Sequence, residues 1–94
     1  MEISSGRSSL HEAAYVMINC DGGHELSVAE ELKTIAGITE IEGTTGNYDI
    51  VVKVEADAVE ILRDIITFKI RRIKEVRSTT TLMFIDSPVP LIAQ

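Results

Sequence analysis

Ninety-four residues, 45% hydrophobic and 26% charged, make one small domain, near the lower end of the size at which a single core holds a fold unaided. Fifteen acidic against nine basic residues give a net charge of −6, which argues against direct nucleic-acid contact, because phosphate binding needs clustered cations. A single cysteine, Cys20, excludes an internal disulfide, and no apolar run approaches the roughly 20 residues that span a bilayer, so the chain reads as soluble and cytoplasmic with no membrane contact.

Residues 1–12 contain four serines and little periodicity, and read as a flexible leader without the apolar segment of a signal peptide. Ala14–Asn19 follows with strand formers that are apolar on both faces, as in a strand inside a sheet. Cys20-Asp21-Gly22-Gly23-His24 ends it. From Glu25 to Ala36, the residues Leu26, Ala29, Leu32, Ile35 and Ala36 recur at helical spacing, with Glu30, Glu31 and Lys33 outward. Gly37 stands where a helix C-terminal glycine belongs. Ile38–Thr45 then alternates as a strand, and Glu40 and Glu42 on one side suit an edge that discourages further pairing.

Thr45-Gly46-Asn47-Tyr48-Asp49 predicts a tight hairpin turn, since Gly46 takes positive φ without a Cβ clash and Asn47 tolerates the left-handed region. Tyr48, Ile50, Val52 and Val54 line one face of the next strand. Asp57 followed by Glu60 has capping-box spacing, and Val59, Leu62, Ile65, Ile66 and Ile73 form an apolar stripe, which predicts a second helix from about Ala58 to about Ile70. The basic run Lys69–Lys74, with Arg71 and Arg72, complements that helix's dipole. Val76–Ile85 predicts the last strand, and Pro88 and Pro90 mark an extended tail over 87–94.

Strand, helix, strand, strand, helix, strand in this order predicts an α+β fold, the ferredoxin-like βαββαβ sandwich, with both helices on one face of the sheet. The other face carries apolar side chains of the two central strands and calls for cover by a second copy, giving a homodimer of the dimeric α+β barrel type.

Backbone N–H groups and the hydroxyls of Thr44 and Thr45 can donate to a carboxylate, and Asp49 can accept from an ammonium group; an amino acid requires that set. A plain hairpin in which Asp49 caps its own turn uses the same residues. Cys20 and His24 have C-x3-H spacing, with Asp21 and Glu25 as oxygen ligands, but structural zinc takes four ligands in paired spacings and the other histidine, His11, lies in the leader. No metal and no cofactor is therefore expected. A catalytic cysteine needs a base and an anion-stabilising site, neither of which is evident, so no enzyme activity is expected.

Several local features then stand in a familiar order: Ala14-Tyr15-Val16, Gly22-Gly23, Ala36-Gly37-Ile38, Thr45-Gly46-Asn47-Tyr48-Asp49, and Val76-Arg77-Ser78-Thr79-Thr80-Thr81. On these, residues 13–86 resemble the effector-binding and oligomerisation (RAM) domain of the Lrp/AsnC regulators, in a stand-alone form, since the leader is too short for the family's helix-turn-helix. The resemblance implies back-to-back dimers, rings of dimers, an amino-acid effector held between dimers, and a link to transcriptional regulation of amino-acid metabolism. Implied ligand-binding residues are Gly46, Tyr48 and Asp49 by direct match, Thr79 and Thr81 as hydroxyl donors, and Thr45 and Asn47 by adjacency. Co-assembly with a full-length Lrp/AsnC regulator, without a ligand of its own, stays open beside this reading. So do an ACT-like module paired at sheet edges and a small enzyme of the monooxygenase type on the same scaffold.

Overall fold

The computed structural model describes residues 12–83. Strand β1 (Glu12–Cys20) leads to helix α1 (Glu25–Leu32), strands β2 (Ile38–Gly43) and β3 (Ile50–Ala56), helix α2 (Val59–Asp64) with its π-helical continuation (Ile65–Ile70), and strand β4 (Val76–Met83). The strands form one antiparallel sheet in the order β2-β3-β1-β4, so the expected ferredoxin-like α+β topology is present. The expected leader up to residue 11, the tail over 87–94, and Phe84 and Ile85 of the last strand lie outside the described residues.

Strands β1 and β3 occupy the centre, as their two-sided apolarity requires. Ala14, Val16 and Ile18 pair with Val54, Val52 and Ile50 in register, and all six are buried. Val28 and Leu32 of α1 and Leu62, Ile65, Ile66 and Ile70 of the second helix close over them to form the core. Each such fully buried side chain contributes about 1.5–3 kcal/mol. The opposite face carries Tyr15, Met17 and Val51, with Leu82 beside Tyr15.

Several expectations are corrected. Helix α1 ends at Leu32 rather than Ala36, and the chain continues in tighter i→i+3 turns, Thr34 N–H to Glu31 O and Ile35 N–H to Leu32 O. Val28 takes the core position while Leu26 is 76% exposed. The reason is angular: Leu26 lies about 120° around the helix from Leu32, whereas Val28 is one turn below it.

Asp57 does not cap the second helix. The N-cap is Ala58, in extended conformation and with no side-chain cap hydrogen bond, which puts the Asp57/Glu60 pair out of frame by one residue. Past Asp64 the helix widens, and the Arg71 N–H donates to Ile66 O at 3.0 Å, an i→i+5 bond. Ile70, four residues past Ile66, is completely buried, and it extends the expected apolar stripe of Val59, Leu62, Ile65, Ile66 and Ile73.

In β2 the pairing shifts between Ile38 and Glu40, so Ile38 faces Val54 and Ile41 faces Val52, and both pack against the core. Simple alternation would put them on opposite faces; the bulge re-aims one of them. Strand β2 is an edge strand, as its acidic side suggested. Finally, the β2–β3 connection runs over residues 44–49 and is wider than a tight two-residue turn. Gly46 has φ of +101°, but Asn47 does not enter the left-handed region.

Candidate functional site

Two groups of polar residues stand out, and they belong to different parts of the fold. The first is the 44–49 loop. The Thr44 N–H donates to Asp49 O at 2.9 Å and the Thr44 hydroxyl donates to Tyr48 O at 2.6 Å, which closes the loop on itself. The Asp49 N–H donates to Ile18 O at 3.0 Å and ties the end of the loop to β1. The Asp49 carboxylate Oδ2 accepts from the Cys20 N–H at 2.9 Å, so Asp49 pins the loop to the end of β1 rather than capping its own turn. Thr45, Gly46 and Asn47 are exposed at the tip, and Tyr48 and Asp49 are half-buried. The Thr45 hydroxyl and the Asn47 amide have no partner among the described residues.

Behind Asp49 sits the Cys20 thiol, 6% exposed. Potential ligand atoms of Cys20, Glu25 and Asp49 all lie within 4.8 Å of one another; of the group that sequence spacing assigned to Cys20, Asp21, His24 and Glu25, this cluster contains Cys20 and Glu25 and adds Asp49. Burial pushes the thiol pKa up, and the charges of Asp49, Glu25 and Asp21 and a hydrogen bond to Asp49 push it further. The thiol therefore stays protonated at neutral pH, which makes it a poor nucleophile, and three ligand atoms fall short of the four of a closed structural zinc site.

The second group lies on β4. Thr79 pairs with Ile18 and Thr81 with Val16, which turns both threonines to the helix-covered side of the sheet. Between β4 and the second helix they line a cavity of about 340 Å³ together with Arg63, Thr67 and Arg71, with Ile66 and Met83 as apolar walls. Arg71 and Thr79 also border an adjoining space of about 330 Å³ with Val76, Arg77 and Ser78. Arg77 pairs with Asp21 at 3.5 Å, both exposed. The side chains of Arg63 and Arg71 have no hydrogen bond or ion pair among the described residues.

The structure thus brings Thr45, Gly46, Asn47, Tyr48 and Asp49 together, and Thr79 together with Thr81, but does not bring the two sets to one point within a chain. Ile50, next to Asp49, faces Ile18, which faces Thr79; two strand spacings, roughly 10 Å, separate the rows. Sequence reasoning missed Arg63 and Thr67 and treated Arg71 as a dipole partner. Their spacing makes Arg63 and Thr67 neighbours on one helix face, whereas the alignment of Arg71 with them depends on the π-helical turn, which spacing does not announce.

Residues 13–91 match the family model described as the Lrp/AsnC ligand binding domain. Over 63 residues the chain is 33% identical to the regulatory protein AsnC of Escherichia coli, covering 67% of this chain and 41% of AsnC. The AsnC structure superimposes with a TM-score of 0.79 at 26% identity, covering 95% of this chain and 60% of that one. The crystal structure of FFRP-DM1 is 34% identical with a TM-score of 0.76, covering 79% of this chain and 99% of that one. A homocitrate synthase of Saccharolobus islandicus is 41% identical over 69 residues, which make up 72% of this chain but 15% of the enzyme. The chain accordingly spans less than half the length of the curated regulator it matches. The family match covers most of the chain and the fold agrees with it, and the chain belongs to the Lrp/AsnC ligand binding domain family.

Proposed function

We propose that the protein is an effector-sensing and oligomerisation module tied to transcriptional regulation of amino-acid metabolism, with an amino acid as its ligand and no catalytic activity. The observation that carries this reading is the separation of two polar groups, the 44–49 loop and the Thr79/Thr81 row, on either side of β1. A zwitterion that uses both is held where copies of the chain meet, with hydroxyls and backbone N–H groups on its carboxylate and Asp49 on its ammonium. That arrangement supports a homodimer and its assembly into a ring of dimers. For the dimer, the apolar middle of the open sheet face, Met17 and Val51 with Leu82 at 54% exposure, supports sheet-to-sheet packing. Met17→Lys should then yield a monomer in analytical ultracentrifugation, while the unaltered protein stays dimeric at nanomolar concentration; a wild-type monomer that keeps its melting temperature on dilution would sink the dimer.

The same domain accounts for a small part of a homocitrate synthase at 41% identity, which supports a second reading in which the module serves an enzyme rather than a DNA-binding regulator. Mixed oligomers with a full-length Lrp/AsnC regulator would favour the first reading. The direct test is a thermal-melt screen against the twenty amino acids at millimolar concentration. Ligand at about 100 times its Kd stabilises the fold by roughly 2.7 kcal/mol, several degrees for a domain of this size. A selective rise names the ligand; a flat panel removes the sensing role and leaves an assembly partner.

A further inference from the structure

We infer that the groove between β4 and the second helix is a carboxylate site that selects a small molecule bearing two carboxylates, with Arg63 and Arg71 as its two anion contacts. This ligand choice rests on the effector reading above, because it shares Thr79 and Thr81 with it.

The polar residues lining this groove are all hydrogen-bond donors to an anion. Arg63 and Arg71 share it with the hydroxyl residues Thr67, Thr79 and Thr81, and none of the described lining residues carries a carboxylate. In a chain with 15 acidic residues against nine basic ones, a concavity with two arginines and no acid among its described lining residues is a local inversion of the overall charge. Lys33, Lys53 and Arg77 each have a carboxylate within 4.0 Å, at 3.4, 3.7 and 3.5 Å. Arg63 and Arg71 have none among the described residues. Two cations that share one cavity repel one another until an anion lies between them, which gives an anion a thermodynamic reason to enter.

The helix geometry makes the alignment. In an α-helix, residues four apart drift around the axis, so Arg71 would be displaced from the line of Arg63 and Thr67. The π-helical turn over Ile65–Ile70 rotates less per residue, which keeps Arg63, Thr67 and Arg71 on the side facing β4. Arg63 and Arg71 are eight residues apart, about two turns along the axis, and both line the same cavity. A ligand with one anionic end meets one fork; a ligand with two meets both. Each planar guanidinium matches a carboxylate through paired N–H donors, and the walls of Ile66 and Met83 suit the methylene stem between the two acid groups.

Calorimetric titration of the full chain with L-glutamate, glutarate, L-glutamine and L-leucine tests this. Glutamate and glutarate should bind, and glutamine, which differs from glutamate by one charge, should bind about tenfold more weakly or worse, the loss expected for one charge-assisted contact. Arg63→Gln and Arg71→Gln should each weaken glutamate by about tenfold and bring the glutamate-to-glutamine ratio toward one. Both arginines are exposed, so these variants should melt close to the wild type. Lys33→Gln removes the same charge from α1 and should leave affinity unchanged within about twofold. Equal binding of glutamine or leucine, or an equal loss in Lys33→Gln, overturns the carboxylate selection and leaves an amino-acid effector in place. Binding of glutarate without glutamate keeps the dicarboxylate groove and removes the amino-acid effector. No binding by any of the four, with a flat amino-acid panel, removes both.

Discussion

The carboxylate of Asp49 holds the backbone N–H of Cys20 at 2.9 Å, joining residues 29 apart in sequence and fixing the 44–49 loop to the end of β1. Asp49→Ala leaves that N–H without its partner beside a buried side chain and should cost about 1.5–3 kcal/mol, the range for a hydrogen bond to a charged group. Asp49→Asn keeps an oxygen acceptor and should melt nearer to the wild type, while losing the upward thermal shift caused by an amino acid. Full retention of that shift in Asp49→Asn would remove Asp49 from the ligand site.

Cys20 carries a pH signature. Burial first, then the charges of Asp49, Glu25 and Asp21, raise its thiol pKa in the folded protein. The unfolded chain releases the thiol proton first, from about pH 8.5 upward, so the folded state binds more protons in that window and stability must fall as pH rises. The contribution is present in full below the unfolded pKa and disappears as pH passes the raised folded value. Urea melts between pH 7 and pH 10 should show this decline, and Cys20→Ser should flatten it. Labelling of the native thiol at pH 7.5 should be much slower than labelling of the unfolded chain.

Gly37 and Gly46 share a φ of +101°, and only one has a neighbour in the way. A Cβ at Gly37 would sit 2.6 Å from Ile65 Cδ1 and 3.3 Å from Glu55 O, whereas at Gly46 nothing lies within 4 Å. Gly46→Ala should cost the left-handed backbone term alone, about 1–2 kcal/mol. Gly37→Ala should cost more, because buried Ile65 must turn away. Denaturation midpoints compare the two directly, and equal losses would mean Ile65 repacks freely.

Leu26 and Leu32 have equal standing in the sequence stripe and opposite fates in the fold. Leu32→Ala empties a fully buried position and should cost about 2–5 kcal/mol. Leu26→Ala, at a site 76% exposed, should stay within about 0.5 kcal/mol of wild type. A large loss at Leu26 would show that it is covered in the assembled protein.

The element order, the central placement of β1 and β3 and the edge position of β2 were legible from residue pattern. Alternating apolar residues and acidic edge residues report which side of a strand meets water, and that is a local property. Gly46 likewise announced a bend, because only a residue without Cβ accepts its backbone angle. What the pattern left undecided depends on long-range partners. The bulge that turns both Ile38 and Ile41 inward is set by pairing with β3. The π-helical turn that aligns Arg63 with Arg71 is likewise an i→i+5 register that the residue pattern does not announce. Asp49 looked like a turn residue because its partner, the Cys20 N–H, is brought to it only when β1 and β3 pair. Residue order alone sets the class of fold and the stock of donors and acceptors. Tertiary structure decided which of them face one another, since a side chain's partners follow from the packing of distant segments, which local periodicity does not encode.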